Sequence, residues 1–249
     1  MISDSDLKAR FPQSFGYLAS VRKTSLRLVG KPCDDASIPI GATKLGGAPD
    51  LSSPRDWPAS GDGSMSFVAQ VRLEPIGDWD EDALLPREGL LLFFAASDGT
   101  SGRVLHVTAP SDEALETKLR RTKTPDDAAS HPAAAATLVR ASSFPRAPSP
   151  FIDLEAIHPT ERASYDKLLR ELDVERGAPD HRLLGYPSDP AFLSRADGDT
   201  RMLLQLDDDA RLEFAWESGK LVYLAQDAEL RRGAISSARV AERRAIEGG

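Results

Sequence analysis

Phe67-Val68-Ala69-Gln70-Val71 is an apolar stretch with one amide inside it, and Met202-Leu203-Leu204-Gln205-Leu206 is a second of the same make. Each reads as a strand, because short apolar runs bounded by turn residues lie buried in sheets. A glutamine flanked by such residues is buried with them, and a buried amide left unbonded costs about 1 to 3 kcal/mol. The flanking marks also come twice in one order. Gly47-Ala48-Pro49 precedes Gln70 and Gly185-Tyr186-Pro187 precedes Gln205; Gly89-Leu90-Leu91-Leu92-Phe93-Phe94 follows the first and Gly219-Lys220-Leu221-Val222-Tyr223-Leu224 the second. Repeated order predicts two related β-rich halves, about 24–125 and 150–240, in a single compact domain over 1–249. The expected class is α+β, with helices packed outside the sheets, and Gln70 and Gln205 are each expected to bond backbone of their own half's Gly-Pro loop.

Working outward, Leu7, Phe11, Phe15, Leu18 and Val21 recur at helical spacing with an interruption near Pro12. Leu26 and Leu28 mark a short strand. The stretch from Cys33 to Gly63, rich in Pro and Gly, reads as a long connection of the kind that is packed or functional. Arg103–Ala109 is expected to pair back on the Gly89–Ala96 strand, and Ser111 caps a helix to Arg121. From Thr122 to Pro150 the chain turns Pro-, Ala- and Ser-rich, with only 137–141 strand-like, and reads as the boundary between halves. A helix opens at His158-Pro159 and runs to about Glu175. Strands are expected at 202–206, 211–215, 220–224 and 235–240, with a helical turn near 227–232.

The 249 residues are 41% hydrophobic and 28% charged, ordinary globular usage, with a net charge of −8. That sign disfavours nucleic acid, which asks for a basic face. The longest apolar run, Leu90–Ala96, is far short of the ~20 residues of a spanning helix, so no membrane partner is expected. A charged start and a lone Cys33 point to the cytosol.

Four histidines stand outside metal-ligand spacing, so neither a metal nor a cofactor is expected. His106 reads as a surface residue, His158 as part of a helix start and His131 as solvated. His181, beside Asp180, is the one candidate for a base, but no nucleophile elbow accompanies it. Gly46-Gly47 after Lys44 lacks the strand-to-helix context of a phosphate loop and reads as a turn. Asp207-Asp208-Asp209 reads as a strand-end turn, lacking the glycine and glutamate of a calcium loop.

Lys44-Leu45-Gly46-Gly47-Ala48-Pro49-Asp50-Leu51, Trp57-Pro58, the Gln70 strand, Leu85-Pro86-Arg87-Glu88-Gly89 with its strand, Leu184-Gly185-Tyr186-Pro187 and the Gln205 strand together resemble the YwqG-like bacterial proteins, a family of unknown function. Phe214-Ala215-Trp216-Glu217 departs from the Trp-Gly-Asp type of turn found there. The resemblance implies an α+β fold in the bacterial cytosol without established catalysis, and that some members are immunity proteins blocking a cognate secreted toxin. The leading expectation is therefore a non-enzymatic, acidic binder of a basic toxin, such as a nuclease, through Asp78, Asp80, Glu81, Asp82, Asp207, Asp208 and Asp209, with Trp79 as an apolar anchor. Gly46, Gly47, Pro49, Trp57, Gln70, Gly89, Gly185, Tyr186, Pro187 and Gln205 are the structural marks. The alternatives are a small-molecule site or enzyme using 41–63 as a lid, and a scaffold without a toxin partner.

Overall fold

The computed structural model describes residues 1–61, 63–173, 178–193, 198–241 and 243. Its strands are β1 (Lys23–Pro32), β2 (Lys44–Leu45), β3 (Asp50–Leu51), β4 (Ala59–Ser60), β5 (Gly63–Ser64), β6 (Ser66–Arg72), β7 (Leu90–Ala95), β8 (Gly102–Val107), β9 (Arg120–Arg121), β10 (Ala134–Ser143), β11 (Arg182–Leu183), β12 (Thr200–Asp207), β13 (Lys220–Gln226) and β14 (Arg239–Val240). The helices are α1 (Asp4–Arg10), α2 (Phe15–Val21), α3 (Asp112–Lys118), α4 (Arg162–Leu172) and α5 (Asp227–Leu230). Ser3 and Ser111 cap α1 and α3 through their hydroxyls, with acids in the first turn and bases in the last.

Ten strands form one antiparallel sheet in the order β14-β13-β12-β11-β1-β10-β2-β6-β7-β8. The protein is β-rich with few helices, and this sheet curls into a nearly closed barrel. At the seam the Tyr223 hydroxyl donates to the Phe94 carbonyl at 2.7 Å. A Cβ on Gly102 would stand 2.6 Å from the Tyr223 ring and 2.7 Å from Val240, so the two sheet ends meet only because residue 102 has no side chain. Alternation explains the filling. Leu91, Phe93, Ala95, Leu221, Tyr223 and Ala225 share the main interior cluster with Leu26, Leu28, Leu183 and Leu204. The intervening Leu90, Leu92 and Phe94 pack outward with Leu115, Met65 and Trp57, while Val222 and Leu224 meet Phe192 and Met202. Burial on both faces is why β7 and β13 read as nearly continuous apolar runs. Residues of α1, α2 and α4 bury Leu7, Phe11, Leu18, Tyr165 and Leu168 in a separate cluster.

Two expectations need correction. Residues 122–150, read as a boundary, hold β10, which pairs with β1 from Lys23 opposite Ser143 to Pro32 opposite Ala134 and runs through the middle of the sheet. Alanine has little strand propensity, so Ala134-Ala135-Ala136 hid it. The expected strand at 211–215 is a turn closed by a single bridge between Asp209 and Phe214. In the segment around 41–61, Leu51 is fully buried, and Trp57 stacks edge-on to Phe94 at 5.4 Å and donates its indole N–H to the Met65 carbonyl. Finally, α4 ends at Leu172, and the helix end expected near Glu175 lies outside the described residues.

Candidate functional site

The acidic segment sits in the connection from β6 to β7, folded back by short-range bonds. Trp79 N–H and Asp80 N–H both donate to the Ile76 carbonyl, and Asp80 Oδ2 accepts from Leu85 N–H at 2.6 Å across Ala83, which is left-handed at φ 51°. Trp79 is thereby laid half-buried on the barrel core. Across from it, Gly185 at φ 80° brings the chain against β10, where a Cβ would stand 2.7 Å from Ser143 Oγ. Tyr186 is held at both ends: its N–H donates to Ser143 Oγ at 3.0 Å and its hydroxyl to the Val21 carbonyl at 2.8 Å.

These two loops wall a surface cavity of about 160 Å³. Trp79, Phe151 and Tyr186 supply aromatic wall, Asp80, Glu81 and Asp82 acid, and Arg22, Lys23 and Arg201 base; Thr24 lines it too. The bases are matched: Arg22 with Asp4 at 2.6 Å, Lys23 with Asp82 at 2.8 Å and Arg201 with Asp227 at 3.1 Å. Glu81 pairs with Arg140 at 2.7 Å. Asp80 forms no ion pair among the described residues, and burial pushes its carboxyl above the ordinary carboxylate range.

The eight residues expected to meet a partner thus do not form one acidic rim. Asp78 and Glu81 are exposed, Asp80, Asp82 and Trp79 half-buried beside the cavity. Asp207 lies at the far end of β12 from the cavity-lining Thr200, roughly 20 Å away at ~3.3 Å per residue. There Asp207 pairs with Lys220 at 2.7 Å, Asp208 accepts from Trp216 N–H, and Asp209, 3% exposed, is held by Arg211 and His181. Asp209 is a buried anchor of its turn and Asp208 alone of the three is exposed: a carboxylate such as Asp209 stays buried only when paired.

The structural marks organise two polar networks. Gln70 Oε1 accepts from Asp50 N–H, directly after Pro49, at 3.0 Å, while its Nε2 donates to the Ala42 carbonyl and to Asp50 Oδ2. Gln205 Oε1 accepts from Ser188 N–H, directly after Pro187, at 2.9 Å, and its Nε2 donates to the Asp180 carbonyl. A bulge precedes each glutamine, and the bulged Val68 and Leu203 carbonyls accept from Gly46 N–H and Leu184 N–H. Lys44, fully buried, donates to Asp35 at 2.8 Å, and burial pushes its ammonium pKa down. Asp50 takes Gly41 N–H at 2.8 Å and Arg121 Nε at 2.9 Å. Gly89 closes against β8, where a Cβ would meet the Val107 carbonyl at 2.4 Å.

His181 is not free to act as a base. Its Nδ1 accepts from Asp207 N–H at 3.2 Å, which assigns the proton to Nε2, and that N–H is given to Asp209 Oδ2 at 3.3 Å. At 2% exposure both nitrogens are spent on holding the 207–214 turn, and burial lowers the imidazole pKa. His131, expected in solvent, is half-buried with its ring edge-on to Phe214 at 4.8 Å. His106 Nε2–H donates to the Glu88 carbonyl, and His158 Nδ1 shares a hydrogen bond with Thr160 Oγ1.

The cavity residues that the sequence did not mark are Thr24, Phe151 and Arg201, each carried on a different element. Only Tyr186 and the 79–82 segment were visible in advance. Among the described residues no three His, Cys, Asp or Glu side chains gather as a metal-binding group, and no helix is long and apolar enough to cross a membrane. No curated protein matches the chain. Residues 43–240, which take in both Gly-x-Pro loops, both glutamine strands and the acidic connection, match the model described as Domain of unknown function (DUF1963), and the chain belongs to that family.

Proposed function

We propose that this is a non-enzymatic, YwqG-like binding protein of the bacterial cytosol, an immunity protein that recognises a secreted toxin of basic surface through the mouth of the Trp79–Tyr186 cavity. The observation that carries the reading is that the acidic segment and the Gly185-Tyr186-Pro187 loop, distant in sequence, wall one cavity at the surface. The groups with reactive potential elsewhere, Lys44, Asp50, His181 and Asp209, are committed to loop-holding bonds. Asp78, exposed at this end of the molecule and without an ion pair among the described residues, supplies negative charge that speeds encounter with a basic partner, and the exposed Glu81 stands beside it in its pair with Arg140.

The reading includes a two-fold kinship of the halves. Its support is the pairing of β2 with β6 and of β11 with β12, the glutamine bonds after Pro49 and Pro187, and the two bulges. Both bulges lie two residues before the glutamine.

Co-expression with any secreted protein whose gene adjoins its own tests the reading. The expected result is co-purification, abolished by Asp78→Lys with Glu81→Lys in a chain that still melts cooperatively; undiminished capture by that variant removes this face as the interface.

A further inference from the structure

The uncompensated group in the cavity is Asp80. Each lining cation has its own acid, and Glu81 and Asp82 have their own bases. Arg231, whose charge favours ionised Asp80, has its own donors spent on both oxygens of Asp227 and on the Asp82 carbonyl. A half-buried carboxylate held by the Leu84 and Leu85 backbone, with no ion pair among the described residues, is costly to keep ionised, and a cation brought beside it relieves that cost.

The walls select the kind of cation. Trp79, Tyr186 and Phe151 offer aromatic faces, and Phe151 already lies 5.9 Å beneath the Arg201 guanidinium. A guanidinium is planar, weakly hydrated and stacks on such rings, whereas an ammonium holds its water more tightly. At about 160 Å³ the cavity is on the scale of a single side chain. Thr24, 8% exposed, lines the same cavity and its hydroxyl has no hydrogen-bond partner among the described residues.

Resting on the binding reading above, we propose that this cavity receives one arginine side chain presented by the partner protein, its guanidinium paired with Asp80 and stacked between Trp79 and Tyr186. The arginine is the anchor of the interface, and the exposed Asp78 adds to the negative field on its approach. Desolvated arginines seated in aromatic pockets are the usual residues on which protein interfaces concentrate their affinity.

The test uses the whole chain and a defined probe, N-acetyl-arginine amide, followed by the indole N–H signal of Trp79 in ¹H–¹⁵N spectra, assigned with Trp79→Phe. The expected result is a saturable shift, absent with the uncharged N-acetyl-norleucine amide and with acetate, and weakened tenfold or more in Asp80→Asn, which keeps an oxygen for Leu85 N–H. No shift up to about 50 mM probe, well above a millimolar dissociation constant, an equal response to the uncharged probe, or undiminished binding by a folded Asp80→Asn variant overturns the proposal. The comparison of charged and uncharged probes needs no variant, so it decides even where Asp80→Asn fails to fold. Probe binding without capture of the neighbouring secreted protein leaves the guanidinium site standing and removes the toxin reading; capture without probe binding does the reverse.

Discussion

Replacing Gln70 by leucine removes an acceptor from Asp50 N–H at 3.0 Å and a donor from the Ala42 carbonyl at 2.8 Å and from Asp50 Oδ2 at 2.7 Å. Asp50 Oδ2 keeps Gly41 N–H, but the two backbone groups lose the partner that the amide supplies in a fully buried place. At about 1 to 3 kcal/mol for each buried group left unbonded, less the gain from burying a leucine, the net loss is about 3 kcal/mol. In a chain of this length that lowers Tm by roughly 6 to 12 °C. Gln205→Leu strips Ser188 N–H and the Asp180 carbonyl in the same way and carries a similar cost. The two networks share no residue, so the double variant is expected to lose the sum of the single losses to within ~0.5 kcal/mol. Calorimetric or circular-dichroism melting of wild type, both singles and the double reads this directly. Tm values unchanged or raised in the single variants refute the reasoning, because the amides then hold nothing that leucine cannot replace.

Other outcomes follow from the same geometry. Gly102→Ala forces a methyl to within 2.6 Å of Tyr223 at the barrel seam and is expected to cost about 1 to 3 kcal/mol in denaturant unfolding; a neutral result would mean that the seam is open in solution. Asp50→Ala leaves Gly41 N–H and Arg121 Nε without their acceptor, although Arg121 keeps Asp35 and the Ile38 carbonyl, and is expected to cost about 1 to 3 kcal/mol for each buried donor left unbonded, by the same measurement. Because burial holds the His181 pKa below its ordinary value, the unfolded chain takes up the proton first as the pH falls. The stability from neutral His181 is therefore complete above about pH 6.5 and declines on acidification below it. His181→Gln is expected to flatten that stretch of the stability-against-pH curve in part, the rest belonging to His131, which burial shifts in the same direction.

The glutamine strands and Gly-x-Pro loops were legible because their chemistry is local: an amide among apolar residues demands a partner, and a glycine before a proline-bearing turn supplies the chain reversal beside it. The outward-packed Leu90, Leu92 and Phe94 were legible as a strand but not as a two-faced one, since burial from the second side depends on Trp57 and α3 arriving from elsewhere in the chain. The central β10 was hidden by its alanines, whose strand conformation is imposed by pairing with β1 and not by propensity. At the site, the acidic run 78–82 drew notice by charge, yet charge alone did not reveal that Glu81 and Asp82 are paired with Arg140 and Lys23, or that Asp80 is half-buried with no ion pair among the described residues. Asp207–Asp209 read the same way in sequence and turned out to brace their own turn through Lys220, Arg211 and His181. Thr24, Phe151 and Arg201 reach the cavity only through the sheet order that sets β1 near β12 and through the loop carrying Phe151, an arrangement without a local sequence signal.

The central claim is that recognition occurs at the mouth between the 79–85 connection and the Gly185-Tyr186-Pro187 loop. Hydrogen exchange of the full chain, alone and with a purified secreted protein that it captures, tests that most directly. Slowed exchange concentrated at 79–85 and 184–187 is the predicted result; protection confined to the 207–214 turn or to the 44–51 loop, or none at all with saturating partner, contradicts it.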